Sequence, residues 1–230
     1  MEPLEIFNAK YRRKKIINII ISAATMLMGV FAVVYIFRHD AEGVYSFRWL
    51  TVDGTIFTTV LTAIAVIVNI IEFKQYTELT KTFVYLIRLS SAVTEGIIFL
   101  VVMISQLPFF EDHMHILRPD MLFMHIIIPV LTIVSFIYND SPIGKFHFMM
   151  VFAGNAFALL YAVIVVSLIA TGLISREMVP YFFLDIRQTS IIFVLGSALI
   201  IFCIGTVLCY VLVELNRRIY WRTLSIRKMV

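Results

Sequence analysis

The sequence predicts an all-α membrane protein, a bundle of six transmembrane helices with both termini in the cytoplasm. Three observations predict this fold class. Of the 230 residues, 61% are hydrophobic and only 15% are charged, whereas a soluble domain has about 45–50% apolar and about 25% charged residues. Six segments are long and apolar enough to cross a bilayer, which requires about 20 mostly apolar residues. Lys and Arg are also distributed unevenly between the loops.

The six apolar segments follow one another with short loops, so no separate soluble domain fits between them. They comprise residues 16–37, 47–71, 84–107, 121–138, 146–171 and 189–213. We expect each to be a helix, because a helix satisfies its own backbone hydrogen bonds in lipid and because the period-2 alternation of a membrane β-barrel is absent. The chain thus divides into a basic N-terminal segment (1–15), a six-span membrane domain (16–213) and a basic tail (214–230).

Basic residues predict the orientation, because cytoplasmic loops of membrane proteins are enriched in Lys and Arg. The residues assigned to the cytoplasmic side are Lys10, Arg12, Arg13, Lys14, Lys15, Lys74, Lys81, Lys145, Arg217, Arg218, Arg222, Arg227 and Lys228, with Arg88 just inside span 3. The outer side carries Asp40, Glu42, Asp53, Glu111, Asp112, Asp120, Glu177 and Asp185. The net charge of +4 therefore reflects topology and does not indicate a nucleic-acid partner. The expected location is an integral, multi-pass position in a membrane, which is the inner (cell) membrane if the source is a bacterium; the acidic side faces outward or into a lumen.

Span 2 carries polar residues at helical spacing on one face. They are Thr51, Thr55, Thr58, Thr62 and Asn69. We expect this face to point into the bundle, with the three central threonines serving helix packing. Thr51 differs because Arg48 precedes it by about one turn and Asp53 lies nearby, all at the outer end of the span.

Span 4 places His125 in an apolar run that leads to Pro129. His125 lies about one helical turn, or ~6 Å, beyond the predicted start of span 4, and Thr51 lies equally far beyond the start of span 2. Because both spans enter from the outer side, the two residues are expected at similar depth near the outer interface. Pro129 lacks the N–H that would bond to the His125 carbonyl, so the helix can bend there. The alternative is a histidine that snorkels to the interface from a kinked helix.

Other polar residues leave alternatives open. Tyr181 suits an interfacial aromatic belt, in the loop between spans 5 and 6. Asp185 and Arg187 in the same loop form either a surface pair of little energetic value or part of a cavity mouth between spans 2 and 4. Glu95 lies in span 3, toward the cytoplasmic half, and is either functional, neutral, or hydrogen-bonded to Thr or Ser on a neighbouring helix.

A hydroxyl next to an imidazole is the minimum requirement for nucleophilic acyl transfer, in which the base takes the proton while the oxygen attacks a carbonyl. Thr51 and His125 can take these roles. A third group should orient the imidazole, and the unranked candidates are Asp53, Asp120 and Asp185. Arg48 can attract a carboxylate headgroup or stabilise an oxyanion.

The rival chemistry is a zinc site around the loop before span 4. Its potential ligands are Glu111, Asp112, His113, His115, Asp120 and His125. Imidazole and carboxylate ligands can hold zinc and activate water, but no HExxH motif is present, and such an acidic loop is also typical of solvated surface. Cys203 and Cys209 lie in one apolar span, which argues against a disulfide framework and a thiolate site. We therefore prefer the Thr/His pair and expect no metal or cofactor.

Three short motifs occur in a fixed order along the chain. "FRWLT" opens span 2 with Leu50 and Thr51, "MHIIIP" opens span 4 with His125, and "VPYFFLD" follows span 5. Together they resemble the androgen-induced and androgen-dependent TFPI-regulating protein family and its bacterial relatives, which have an aromatic–Leu–Thr motif, a histidine ahead of a proline, and a Tyr-Pro-Phe-Leu type segment. The resemblance covers roughly residues 46–187. One departure is that Pro180 here precedes Tyr181.

The resemblance implies a membrane threonine hydrolase that cleaves fatty acid esters of hydroxy fatty acids, with Thr51 as nucleophile and His125 as general base. The substrate would be a lipid that enters laterally from the outer leaflet. The residues expected to orient the base or bind the substrate are Arg48, Asp53, Asp120, Tyr181, Asp185 and Arg187. The alternative is a non-enzymatic lipid-binding protein or small transporter with Glu95 and the threonine stripe as its polar lining, although the sequence carries no clear internal repeat of the kind many transporters have.

Overall fold

A computed structural model of the chain describes residues 3–39, 43–75, 82–106, 117–175 and 178–225, and every regular element in these ranges is a helix. The long helices are α1 (Pro3–His39), α2 (Leu50–Gln75), α3 (Thr82–Val101), α4 (Pro119–Leu122, continued by the π-helical turn Phe123–Ile127 and by Ile128–Asn139), α5 (Phe148–Ala170) and α6 (Ile191–Ser225). Two short 3-10 turns (Gly43–Arg48 and Phe182–Leu184) and a π-helical turn at the end of α3 (Val102–Gln106) complete the set.

Six helices are long and apolar enough to cross a membrane, with 20 to 30 residues each, which confirms the predicted six-span helical bundle. A bilayer core about 30 Å thick needs about 20 helical residues. The chain is therefore an integral, multi-pass membrane protein. Helical structure continues beyond the predicted spans, since α1 begins at Pro3 and α6 ends at Ser225.

α3 is the central helix of the bundle. In its apolar window 67% of the residues are buried, against 11–39% in the other five spans, and it packs against α2, α4, α5 and α6. Glycines bring the neighbours close: a Cβ on Gly96 would lie 3.1 Å from a methyl of Leu208 on α6, and a Cβ on Gly154 of α5 would lie 3.3 Å from a methyl of Val93. In lipid, such close packing is a principal attraction between helices.

Beyond the first turn of α2, its polar face points into the bundle. Thr55, Thr58, Thr62 and Asn69 are all buried, with at most 5% exposure, which confirms the prediction for these residues. The hydroxyls of Thr58 and Ser91 on α3 are 2.8 Å apart, and the Thr62 hydroxyl donates to the Thr58 carbonyl. Thr58 therefore joins α2 to α3, and Thr62 satisfies its hydroxyl within α2.

Two buried ion pairs join helices at the end of the bundle where α1 starts and α6 finishes, which we call the basic end. Arg88 of α3 donates from Nε to both carboxyl oxygens of Asp140 at 2.7 Å, and from Nη2 to the Ser135 hydroxyl at 2.9 Å. Lys15 of α1 pairs with Glu72 of α2. All four charged side chains are at most 10% exposed, so these charges hold the helices together inside the bundle.

Asn216 of α6 closes the same region. Its side-chain amide donates to the carbonyls of Phe136 and Asp140 at 3.1 and 2.8 Å, and it accepts from the Tyr85 hydroxyl at 3.3 Å. The carbonyls at a helix C-terminus have no partner within the helix. Asn216 supplies one for α4 and thereby links α3, α4 and α6.

Arg88→Gln is expected to destabilise the folded protein by about 3–5 kcal/mol, because it leaves a buried carboxylate without its counter-charge. Burial raises the pKa of Asp140, and the Arg88 guanidinium opposes this effect. The measurement is thermal unfolding of the detergent-purified protein.

A double variant, Arg88→Met with Asp140→Leu, should recover most of the lost stability, since an apolar pair needs no compensation for desolvation. Arg218→Gln is the matched control: Arg218 forms an exposed pair with Glu214, so the melting temperature should not change. A double variant no more stable than the single one contradicts this account.

Candidate functional site

Thr51 lies in the first turn of α2, directly after the turn that carries Arg48. The N–H groups of Trp49 and Val52 donate to the carbonyls of Ser46 and Trp49, both at 3.1 Å, so the 3-10 turn runs into the helix. Thr51 is half-buried and lines a cavity between α2, α3, α5 and α6. The apolar walls include Ile97, Ile98, Val101, Ala158, Ala198 and Phe202. A lining of this kind suits part of an acyl chain.

Tyr181, in the loop between α5 and α6, is the polar group beside Thr51 in this cavity. Its phenol interacts with the Thr51 side chain, and its ring packs against Trp49 and Tyr161 with centroids 5.5 and 6.4 Å apart. Burial raises the pKa of Tyr181 to about 12, and the interaction with Thr51 offsets only part of this effect. The phenol is therefore neutral at physiological pH and can donate a hydrogen bond.

Arg48 and Asp53 line a separate groove between α2 and α5. Tyr161 of α5 lines both spaces, and its hydroxyl donates to the Arg48 carbonyl. The Arg48 guanidinium lies 5.1 Å from the centre of the Trp49 ring. Neither Arg48 nor Asp53 is among the described residues that line the Thr51 cavity, although Asp53 acts electrostatically on Tyr181.

His125 is 8% exposed and lies in the π-helical turn Phe123–Ile127 of α4, just before Pro129. A proline disturbs the helical hydrogen-bond pattern, and π turns accommodate such irregularities, often at functional sites. Nδ1 of His125 is 3.0 Å from the Met121 carbonyl. Because a carbonyl only accepts, Nδ1 carries the proton in the neutral ring, and Nε2 is the nitrogen that can take a proton.

The register of α2 against α3 defines the depth of Thr51. The two helices run antiparallel, and the hydroxyls of Thr58 and Ser91 are 2.8 Å apart. About two turns from this pair, away from the basic end, Thr51 on α2 comes level with Ile98 on α3. The close approach of Gly54 supports this register, since a Cβ there would lie 2.8 Å from an Ile98 methyl.

The register of α4 against α3 defines the depth of His125 in the same way. Ser135 accepts from Arg88 at 2.9 Å, and a Cβ on Gly96 would lie 3.8 Å from an Ile133 methyl. These contacts place His125 between the level of Ile98 and about two turns farther from the basic end. Thr51 and His125 thus lie toward the same end of the membrane domain, on helices that flank α3. In the described part of the chain, however, no hydrogen bond joins them, and His125 does not line the Thr51 cavity.

Asp120, at the start of α4, pairs with Arg118 at 3.2 Å and acts electrostatically on His125. The other proposed zinc ligands of this loop, Glu111, Asp112, His113 and His115, lie outside the described residues. Across the described ranges, no group of three His, Cys, Asp or Glu side chains is arranged to hold a metal ion. Asp120 is thus the carboxylate that the structure associates with His125.

Asp185 and Arg187 brace the loop that carries Tyr181. The Asp185 side chain is only 2% exposed and accepts from the Arg187 backbone N–H at 3.0 Å and from the Arg187 Nε at 3.3 Å. Arg187 Nη1 also donates to the Ile174 carbonyl at 2.9 Å, and the Thr189 hydroxyl donates to the Asp185 carbonyl at 2.8 Å. Asp185 is therefore buried and Arg187 partly buried, and their contacts brace the loop that carries Tyr181.

Comparisons of the chain with protein-family models, with characterised proteins and with solved structures return no match. The family resemblance therefore stands on the three short motifs, and the chemistry has to be argued from the geometry of the site.

Tyr161 is a site residue that sequence reasoning missed. It lies in the apolar span α5, is 7% exposed, and joins α5 to the start of α2 through the Arg48 carbonyl. The available signal was a phenol inside an apolar span, since a buried tyrosine hydroxyl usually finds a partner.

Ala162→Phe is expected to fill the cavity beside Thr51 and to reduce acyl-chain binding, because Ala162 lines its wall. The measurement is the amount of fatty acid retained by purified protein, determined by native mass spectrometry. Ala170→Phe, on the exposed end of the same helix, is the matched control and should retain fatty acid like the parent. Equal retention by all three proteins would show that the cavity does not hold the chain.

Proposed function

We propose that the protein is a membrane-embedded ester hydrolase that acts on lipid esters, of the class that the family resemblance implies. The observation that carries the proposal is the position of Thr51, whose side chain interacts with the neutral Tyr181 phenol in a largely apolar cavity. Part of an apolar chain can occupy this cavity while its ester group lies at the two hydroxyls. Fatty acid esters of hydroxy fatty acids are the substrate class to test first.

In the proposed reaction the Thr51 hydroxyl oxygen attacks the ester carbonyl, and its proton passes to Nε2 of His125. Collapse of the tetrahedral intermediate breaks the ester C–O bond, and the imidazolium returns the proton to the departing alkoxide. Water then attacks the acyl-threonine in the same way, which releases the fatty acid and restores Thr51. Asp120 is the carboxylate placed to stabilise the imidazolium.

Tyr181 is proposed to donate a hydrogen bond to the developing oxyanion. Because its phenol is neutral at physiological pH and lies beside Thr51, it meets the first requirement for an oxyanion donor. The ion pair of Asp185 and Arg187 positions it by bracing the loop.

The second candidate function is lipid binding without chemistry, or transport. It is favoured by the lack of a hydrogen bond between Thr51 and His125 in the described chain. Catalytic hydrogen bonds are often long in the absence of substrate and tighten in the complex, so the choice has to be made by measuring turnover.

Thr51→Ala and His125→Ala are each expected to lower kcat/KM by about 10³-fold or more, because each removes one partner of the proton transfer. The assay is hydrolysis of a fatty acid ester of a hydroxy fatty acid by protein in detergent. The double variant should be no slower than either single variant, since the two groups act as a unit.

Matched controls separate chemistry from folding. Thr59→Ala removes a hydroxyl on the same helix that donates only to the Thr55 carbonyl, and His39→Ala removes an exposed histidine; both should retain activity. An inert parent protein that still binds the ester would favour the lipid-binding candidate. Active Thr51→Ala protein would exclude Thr51 as the nucleophile.

Tyr181→Phe is expected to lower kcat by about 10²-fold with little change in KM, because the hydrogen bond it removes strengthens only in the transition state. The pKa of Tyr181 is about 12, so the phenol stays protonated from neutral pH up to well below pH 12. Ionisation of Tyr181 should therefore cause no loss of activity in this range. Kinetics at several pH values test both statements. An unchanged kcat would leave Tyr181 as a packing residue.

A further inference from the structure

Glu95 of α3 is a buried carboxyl in the middle of the bundle, away from the Thr51 cavity. It is 0% exposed, and neither of its carboxyl oxygens has a hydrogen-bond partner at bonding distance in the described structure. Arg88, which lies about two turns away on the same helix, is engaged by Asp140. A carboxylate in such surroundings is costly without a compensating charge, and inside membranes such groups are commonly functional.

The hydroxyl next to this carboxyl is that of Thr58 on α2, which interacts with it and lies 2.8 Å from the Ser91 hydroxyl. Three further hydroxyls are buried and have no partner in the described structure, namely those of Thr55, Thr94 and Thr132. Buried polar atoms are nearly always satisfied in proteins. Five unsatisfied oxygens in one region, counting both of Glu95, therefore call for a ligand.

Helix register brings these oxygens together. A Cβ on Gly54 would lie 3.3 Å from the Thr94 methyl, so α2 and α3 are in close contact beside Thr55. Side chains tilt toward the N-terminus of their helix, which directs Glu95 back toward the level of Thr58. On α4, Thr132 lies about one turn from Ser135, whose hydroxyl bonds to Arg88 of α3.

We propose that Glu95 and the surrounding threonine hydroxyls bind a monovalent inorganic cation, with Na⁺ as the ion to test. Oxygen-only ligands suit hard cations, and a single carboxylate balances a single positive charge. The ligand set consists of Glu95, Thr58, Thr55 and Thr94, with Thr132 from the facing helix. This site is independent of the proposed esterase, because none of these residues lines the Thr51 cavity.

Buried polar side chains lead from the basic end into the bundle. Arg88 donates to Ser135, Ser135 donates to Asn18 at 3.4 Å, and Ser22 donates to Asn18 at 3.3 Å, one turn further in. Asn18 and Asn69 also line a cavity at this end, together with Lys15, Arg88 and Asp140. The bundle interior on this side of Glu95 is therefore polar.

The test is thermal unfolding of the full chain in detergent, with NaCl titrated at constant ionic strength against choline chloride. Na⁺ is expected to raise the melting temperature saturably, by about 3 °C or more at tenfold excess over the dissociation constant. Glu95→Gln should remain folded and lose this response. Glu214→Gln removes a carboxylate that is paired outside the site and should keep it.

A second measurement covers the case in which Glu95→Gln does not fold. A hydrophobic carbodiimide should modify Glu95 in the parent protein, as detected by mass spectrometry, and Na⁺ but not choline should slow this modification several-fold. A melting temperature that ignores Na⁺, a response that survives Glu95→Gln, or labelling that is equally fast in both salts overturns the proposal. Each of these results would make Glu95 a proton site at most.

Discussion

A helix with polar and charged residues through its middle cannot face lipid, and α3 is such a helix. Its buried residues include Arg88, Ser90, Ser91, Thr94 and Glu95. Each charged side chain at the bilayer centre costs about 2.5–3.5 kcal/mol even by the lower estimates. The other helices remove this cost by enclosing α3, and the four that pack against it supply partners where they exist, such as Asp140 for Arg88 and Thr58 for Ser91. The architecture of the bundle follows from the need to cover this one helix.

Covering α3 also decides where the functional groups lie. Because α2 and α4 both run antiparallel to α3, packing on α3 carries Thr51 and His125 toward the same end of the membrane domain, away from the basic end. His125 is buried in the π turn that precedes Pro129, a residue with no N–H to contribute to the helix. The position of both residues toward this end is thus a consequence of packing on α3.

Sequence patterns could predict the elements but not their partners. Hydropathy locates all six spans because a bilayer imposes a length on each, and helical periodicity correctly assigns Thr55 and Thr58 to the interior. The ion pairs were beyond reach, because Arg88 and Asp140 are far apart in sequence and meet only through helix packing. The distribution of Lys and Arg predicts that both termini are cytoplasmic, and this orientation stays a prediction.

One turn of α2 separates two different environments. Thr51 lines the apolar cavity, whereas Thr55, about 6 Å further along the helix, is 0% exposed in the polar interior. Gly54 lies between them, and a Cβ there would come within 2.8 Å of an Ile98 methyl and 3.3 Å of the Thr94 methyl. The glycine lets α2 approach α3 closely at the turn that separates Thr51 from Thr55. Gly54 therefore marks the point on α2 where the apolar cavity gives way to the buried polar residues.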